Sequence, residues 1–325
     1  MKLSLIVPVC NDLEGVRTVL HQACELGIFA QVILSDDASD IPFSVDEVTA
    51  DVPGPYPELV ILRHETRGGA GRARNLALAK VTGTHVLFFD ADDHLRPELV
   101  DIWQCLEQET EDFDFCIFRH VEERCHQDGH LGMFPKDEAL WAEAGAVHIF
   151  GELAPQKATK LAQVAAYPWN KIYRAEFLRV AGVRCGETLV HNDIGLHWLG
   201  FLRAERILYS TVLGCEHVLA AGRSHLTRRR GRERLQVFDA LQDVLGEVGS
   251  LSGAWNLAFA LFYLDLLVWA RERVAATDLV DFDLLAQEFV RVQISAGLFS
   301  QINRQSPDVA WRCLDMLSGY TEGGG

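Results

Sequence analysis

Short apolar runs end in polar residues repeatedly along the first third of the chain. Leu3–Val9 closes on Asn11 and Asp12, residues 31–34 close on Asp36-Asp37, residues 59–62 form a third run, and residues 85–89 close on Asp90-Ala91-Asp92-Asp93. Runs this short and this apolar predict strands buried on both faces. Between the first two, Leu13, Val16, Val19, Leu20, Ala23 and Leu26 recur at helical spacing, with Gly27 as the stop. A second helix is predicted over residues 70–80, with Gly83 as its terminator. The alternation predicts an α/β fold with a Rossmann-like, mostly parallel sheet and helices on both faces.

From about Gly231 the strand pattern stops and helical spacing takes over, through residues 235–248, 257–274, 279–292 and 309–317. The expected organisation is an α/β domain over residues 1–225 and a helical C-terminal region over 226–325. The first divides into two halves, 1–110 and 111–225. The most apolar run, residues 254–270, is shorter than the ~20 residues of a membrane span and is interrupted by Asn256 and Asp265. It is expected to be a buried or interfacial helix.

Composition narrows the function. A chain of 325 residues that is 49% hydrophobic and 23% charged is globular. Its net charge of −16 argues against a nucleic-acid binder, which needs surplus Lys and Arg on one face. Eight cysteines without a Cys-x-x-Cys pair, behind an N-terminus that enters a strand directly, predict free thiols in the cytoplasm. Cys125, His126 and His130 lack a second matching pair and are read as loop rather than metal ligands.

In parallel sheets ligands bind beyond the carboxyl ends of the strands, which is where the polar residues fall. Three carboxylates within four residues after the fourth run repel one another unless a cation compensates, and a hard divalent ion suits them. The competing reading is an acidic turn before a helix starting near Pro97. Gly68-Gly69-Ala70-Gly71-Arg72-Ala73-Arg74 opens a helix with glycines, as phosphate-binding loops do. Arg74, however, stands where a dinucleotide fingerprint has its third glycine, and no P-loop or Gly-x-Ser-x-Gly elbow is present.

Taken in order, Pro8-Val9-Cys10-Asn11, Asp36-Asp37-Ala38-Ser39-Asp40, Gly71-x-x-Arg74-Asn75-x-Ala77, Gly83-Thr84-His85-Val86 and Asp90-Ala91-Asp92-Asp93 resemble the family 2 glycosyltransferases of the GT-A fold, bacterial and non-processive. Pro168-Trp169-Asn170-Lys171 resembles a further segment frequent in bacterial members, and Asn192-Asp193 falls where the family has Glu-Asp. The resemblance implies a hexosyltransferase that moves a sugar from a nucleotide diphosphate donor, UDP-sugar favoured, to a glycan or lipid-linked glycan in surface polysaccharide synthesis, with inversion. It implies that Pro8, Cys10, Asn11, Asp36, Asp37, Arg74, Asp90 and Asp92 bind the nucleotide sugar, Asp37 at the base. Asp93, with Asp92, would hold Mn2+ or Mg2+, His217 would complete the metal shell, and Asp193 would be the catalytic base. Three departures stand out: Cys10 for the common Tyr or Phe, Asn192 for Glu, and Cys215-Glu216-His217-Val218 for a tyrosine segment.

Two other classes remain open. A nucleotidyltransferase making the sugar nucleotide would need similar acids but a Gly-rich loop after the first strand, where this chain has Val9-Cys10-Asn11-Asp12. A non-catalytic sugar-nucleotide-binding module is suggested only by Asn192. The absence of a Gln-x-x-Arg-Trp motif points to single-sugar transfer. The basic residues Arg223, Arg228, Arg229, Arg230, Arg232 and Arg234 have three readings: a solvated helix start, a loop onto the donor diphosphate, or a peripheral contact with anionic lipid at the inner membrane face.

Overall fold

The computed structural model describes residues 1–126, 131–219, 230–249, 251 and 253–319. Among the described residues nine strands form one sheet: β1 Leu3–Val9, β2 Phe29–Asp36, β3 Glu58–Arg63, β4 His85–Phe88, β5 His94–Leu95, β6 Phe115–Glu122, β7 Phe150–Glu152, β8 Lys171–Arg174 and β9 Ile207–His217. Their order is β3-β2-β1-β4-β8-β6-β9-β5, with β7 on β9. The half built of β1 to β4 is wholly parallel, as expected. Beyond it β8 runs antiparallel between β4 and β6, while β6 and β9 are parallel again.

Alternate side chains of β1 serve two cores. Leu3, Leu5 and Val7 pack under the Leu13–Leu26 and Leu99–Glu107 helices. Ile6 faces the other side with Ala77 of the Gly69–Leu78 helix. Fully buried strands covered on both faces explain why the sequence reads as continuous apolar runs. Asp12 caps the first helix by accepting the Gly15 N–H at 2.9 Å, which places the β1 terminus and its polar residues at one sheet edge.

Gly83 does not terminate the second helix, which ends at Leu78. Its role is packing: a Cβ there would stand 2.6 Å from Ser4 Oγ and 2.8 Å from the Lys2 carbonyl oxygen. The acidic turn also does not cap a helix at Pro97. Asp93 runs directly into β5, and the next helix begins at Leu99.

After β9 every described element is helical. Val237–Val248 lies on the Asp193–Arg203 helix, and Gly253–Arg271, Leu279–Gln293 and Pro307–Leu317 complete a bundle. These helices share one core with the sheet: Trp198 packs its ring on Phe259 at 4.7 Å and Phe262 at 5.2 Å. The Gly253–Arg271 helix, with a mean hydropathy of 1.4, has the length and composition to cross a membrane. Phe259, Leu261, Tyr263, Leu264 and Leu267 of that helix are buried in the shared core. Ala296–Gln305 is a helix that the spacing did not predict.

Candidate active site

On the nucleotide side, β1 and β2 end together. Pro8 is buried in β1, Cys10 is exposed, and Asn11 takes a left-handed turn at φ 58°. Asn11 receives the Asp40 N–H on Oδ1 at 2.7 Å and donates from its amide to the Asp40 carboxylate at 3.0 Å, tying the two strand ends. Burial pushes the Cys10 thiol above its ordinary value, Arg67 opposing. Asp36 is fully buried, paired with Arg63, and accepts the Ser39 N–H at 2.8 Å. Asp37 accepts the N–H groups of Gly68 and Gly69 at 2.7 and 2.8 Å, with His64 Nδ1 at 3.5 Å. The amides at the glycine-rich helix start, read from sequence as a phosphate cradle, are therefore occupied by this chain's own carboxylate.

The acids after β4 converge. Ligand oxygens of Asp90, Asp92 and Asp93 lie within 4.8 Å of one another. Asp93 is held well above the usual carboxylate range by burial and then by Asp92 and Asp90, with the Val218 N–H, donating at 3.0 Å, pulling the other way. A buried acid pushed up by its neighbours is the electrostatic mark of a place that a divalent cation would neutralise, and an all-oxygen donor set fits Mn2+ or Mg2+.

Arg74 connects this cluster to the other side of the site. It is buried, donates from Nη1 to Asn192 Oδ1 at 2.8 Å, and pairs through Nη2 with Asp90. Burial opposes its charge, but Asp90 keeps it protonated. Asn192 occupies the helix N-cap position without a capping side-chain bond, its amide oxygen accepting from Arg74 instead. It is thus not a simple helix cap. Gly71 permits the approach: a Cβ on it would fall 2.0 Å from the Gly186 carbonyl oxygen and 2.8 Å from Asn192 Cβ.

Asp193 follows in the first turn of the Asp193–Arg203 helix. Burial raises its pKa to about 6, while Arg74 lowers it and Asp90 raises it further. A carboxyl poised near neutrality can accept a proton, as a general base must. Beneath it lies Lys171, whose Nζ donates to the Tyr167 carbonyl at 2.8 Å and Asn170 Oδ1 at 2.6 Å. Burial lowers this ammonium to about 7, Asp193 opposing.

Behind the acids lies a ring of residues of which the sequence marked His217 and Trp169 but not Glu122, Arg124 or Tyr167. Glu122, fully buried at the end of β6, accepts Arg124 Nε at 2.6 Å and Nη2 at 2.9 Å, the Tyr167 hydroxyl at 3.2 Å, and lies 3.1 Å from His217 Nδ1. Burial works against its charge, yet the bonds from His217 and Arg124 bring it down to about 2. His217 stacks on Tyr167 at 5.5 Å and on Trp169 at 6.0 Å. Glu122, Arg124 and Tyr167 carried no such signal, since pairing between residues 122 and 217 is invisible locally.

Of the basic stretch, Arg223, Arg228 and Arg229 lie outside the described residues. Arg232 pairs with Asp278 and Asp281, and buried Arg234 lies over the Trp269 ring, so both are engaged by the helical region. Of the cysteine and histidine group, Cys125 Sγ donates to the Met133 carbonyl, while His130 and the side chain of His126 lie outside the described residues.

Residues 4–179 match the family described as glycosyl transferase family 2. Over 102 residues, 31% of the chain, it is 30% identical to the uncharacterized glycosyltransferase YibD of Escherichia coli strain K12, spanning 28% of that relative's length. Residues 1–349 of S. aureus TarS superpose with a TM-score of 0.71 at 18% identity, covering 98% of this chain and 89% of that one. TarS 1–349 with UDP-GlcNAc superposes at 0.69 with the same identity and coverage. At this identity the likeness to TarS is one of fold, and it extends through the C-terminal helices. With the family match running over more than half of its length, the chain belongs to glycosyl transferase family 2 and is a glycosyltransferase of GT-A fold.

Proposed function

We propose that this chain transfers a sugar from a nucleoside diphosphate donor to a hydroxyl acceptor, inverting the anomeric carbon, with Mn2+ or Mg2+ at Asp90, Asp92 and Asp93. The observation that carries the reading is the Arg74 bridge, which binds Asp90 of the acid cluster to Asn192 beside Asp193. Donor-holding and proton-accepting groups are thereby locked into one constellation, as a displacement on a bound sugar requires.

A divalent cation, when bound, stabilises the negative charge that builds on the departing diphosphate. Arg74 adds a fixed positive charge there that needs no reorganisation. Asp37 and Asp36 shape the floor under the base, through the amides and Arg63 they hold. Asp193 takes the proton of the acceptor hydroxyl as the new bond forms, on the face opposite the leaving group. UDP is the favoured nucleotide, supported by the TarS structures with UDP and UDP-GlcNAc. The acceptor is a growing surface glycan or polysaccharide, free or lipid-linked, with the enzyme in the cytoplasm and in peripheral contact with the inner membrane face. Release from membranes by high salt without detergent tests that location.

Calorimetric titration with UDP, in Mn2+ and in EDTA, tests the donor and metal reading. UDP is expected to bind more tightly with Mn2+, and Asp93→Ala to remove the difference. Equal affinity in both buffers for the wild type would refute the metal role.

A further inference from the structure

Glu122 is out of place by charge alone. A fourth carboxylate near half-buried Asp90 and Asp92 and buried Asp93 would worsen their repulsion, and burying it costs free energy unless it is paired. Arg124 supplies that pair with two bonds, at 2.6 and 2.9 Å. Charge balance is thereby met locally, and the carboxylate keeps acceptor capacity for a further donor. That donor is His217, with Nδ1 3.1 Å from Oε1.

The register shows where His217 stands. His94 pairs with Glu216 and Leu95 with Cys215, antiparallel. Continued by one residue, that register sets Asp93 opposite His217, and the adjacent Val218 N–H reaches Asp93 Oδ1 at 3.0 Å. Opposed residues of an antiparallel pair project to the same face with Cβ atoms about 5 Å apart. On the other edge of β9, His217 is the register partner of Glu122 in β6. His217 therefore lies between the acid cluster and Glu122, its ring nitrogens outside the 4.8 Å within which the three aspartate oxygens gather. Stacking with Tyr167, at 25° between planes, and Trp169, at 14°, fixes the plane of its ring.

We propose that Glu122 is a positioning residue for the cation site: it accepts the Nδ1–H of His217 and so presents the Nε2 lone pair to the ion held by Asp90, Asp92 and Asp93. Carboxylate partners of this kind fix the tautomer and orientation of ligating histidines and raise their basicity. The inference rests on the metal reading above and goes beyond it by assigning a residue that touches neither donor nor ion. Arg124 keeps the Glu122 carboxylate ionised, and the Tyr167 hydroxyl, which also donates to it at 3.2 Å, holds the second oxygen.

The test is the Mn2+ affinity of the full chain, measured by calorimetry and by electron paramagnetic resonance, for wild type, Glu122→Gln, His217→Ala and the double variant. Glu122→Gln is expected to weaken Mn2+ by roughly 10–100-fold, and to weaken it no further when His217 is already Ala. Equal losses in both backgrounds, or wild-type affinity in Glu122→Gln or His217→Ala, would overturn the proposal. Failure of the wild type itself to bind Mn2+ would sink the metal reading, and this inference with it, a result distinct from the others. Nitrogen NMR of the imidazole in metal-free protein, with the ring neutral, gives an independent readout: Nδ1–H in the wild type, with the tautomer redistributed in Glu122→Gln. Should that variant fold poorly, Tyr167→Phe, which removes one bond to the same carboxylate, is expected to weaken Mn2+ in the same direction; unchanged affinity there with an unchanged tautomer would count against the proposal.

Discussion

At the scale of single residues, Asp193 and Asp93 have the same chemistry and opposite employment. Both are raised by burial, but Asp93 is crowded by two carboxylates, whereas Asp193 has Arg74 beside it and rises only to about 6. A base must be ionised to act, so kcat/KM is expected to fall as pH drops through about 6 and to level off above it. With the proposed cation bound, the charge of Asp90, which raises Asp193, would be neutralised, so the corresponding limb in kcat is expected at lower pH. Asp193→Asn keeps the shape and removes the base: transfer is expected to fall by roughly 100-fold or more while UDP and Mn2+ affinities, read by calorimetry, stay near wild type. A variant that transfers at nearly the original rate would return Asp193 to a structural role. Asn192 belongs at this scale too. With its side chain on Arg74, Asn192→Ala leaves a buried guanidinium N–H without an acceptor, and donor affinity is expected to fall along with melting temperature, by about 1–3 kcal/mol of stability.

At the scale of elements, the legible part was the part whose signal is local. The strands β1, β2 and β4 are apolar runs ending in acids, and the Leu13–Leu26 and Leu279–Gln293 helices repeat at helical spacing, so each appears within one window of sequence. Glu122 and Tyr167 acquire meaning only when β6 and β9 come together, through contacts between residues as far apart as 95 positions. A glutamate on a strand carries no signal of the histidine that it will face. Glycines were legible as punctuation but misread in purpose: Gly83 and Gly71 are small because other backbone lies against them, not to end or open helices. Gly71→Ala tests that difference in sign. Helix propensity alone predicts a gain of about 1 kcal/mol. The contact with the Gly186 carbonyl, 2.0 Å from the added Cβ, predicts a loss instead, about 1–3 kcal/mol, because backbone on both sides must move. A lower melting temperature with weakened UDP binding is the expected result, since the same contact aligns Arg74 with Asn192.

At the scale of the whole molecule, the question is whether the C-terminal helices are an attachment or part of the folding unit. The sequence divides at about residue 225, where strand patterns give way to helical ones, and that change of period suggests two bodies. The packing joins them. The Asp193–Arg203 helix, whose first residue is the proposed base, buries Trp198 against Phe259 and Phe262 of the Gly253–Arg271 helix, with Trp255 at 6.4 Å. Arg203 at its far end pairs with Glu247 of the Val237–Val248 helix at 2.7 Å. The helix that presents Asp193 is therefore clamped between the sheet and the bundle, which is placed to hold its angle. Trp198→Ala removes a fully buried ring and is expected to cost about 3–5 kcal/mol. The loss is expected in a single cooperative transition, so that helical circular dichroism and UDP binding disappear at the same lowered temperature. Below that temperature the variant's transfer rate is expected to drop more than its UDP affinity, because tilting the helix moves Asp193 while leaving Asp37, Arg63 and the β1–β2 edge in place. Two separated melting steps, with UDP binding surviving the first, would show instead that the helical region folds independently and that its contact with Trp198 is incidental to the site.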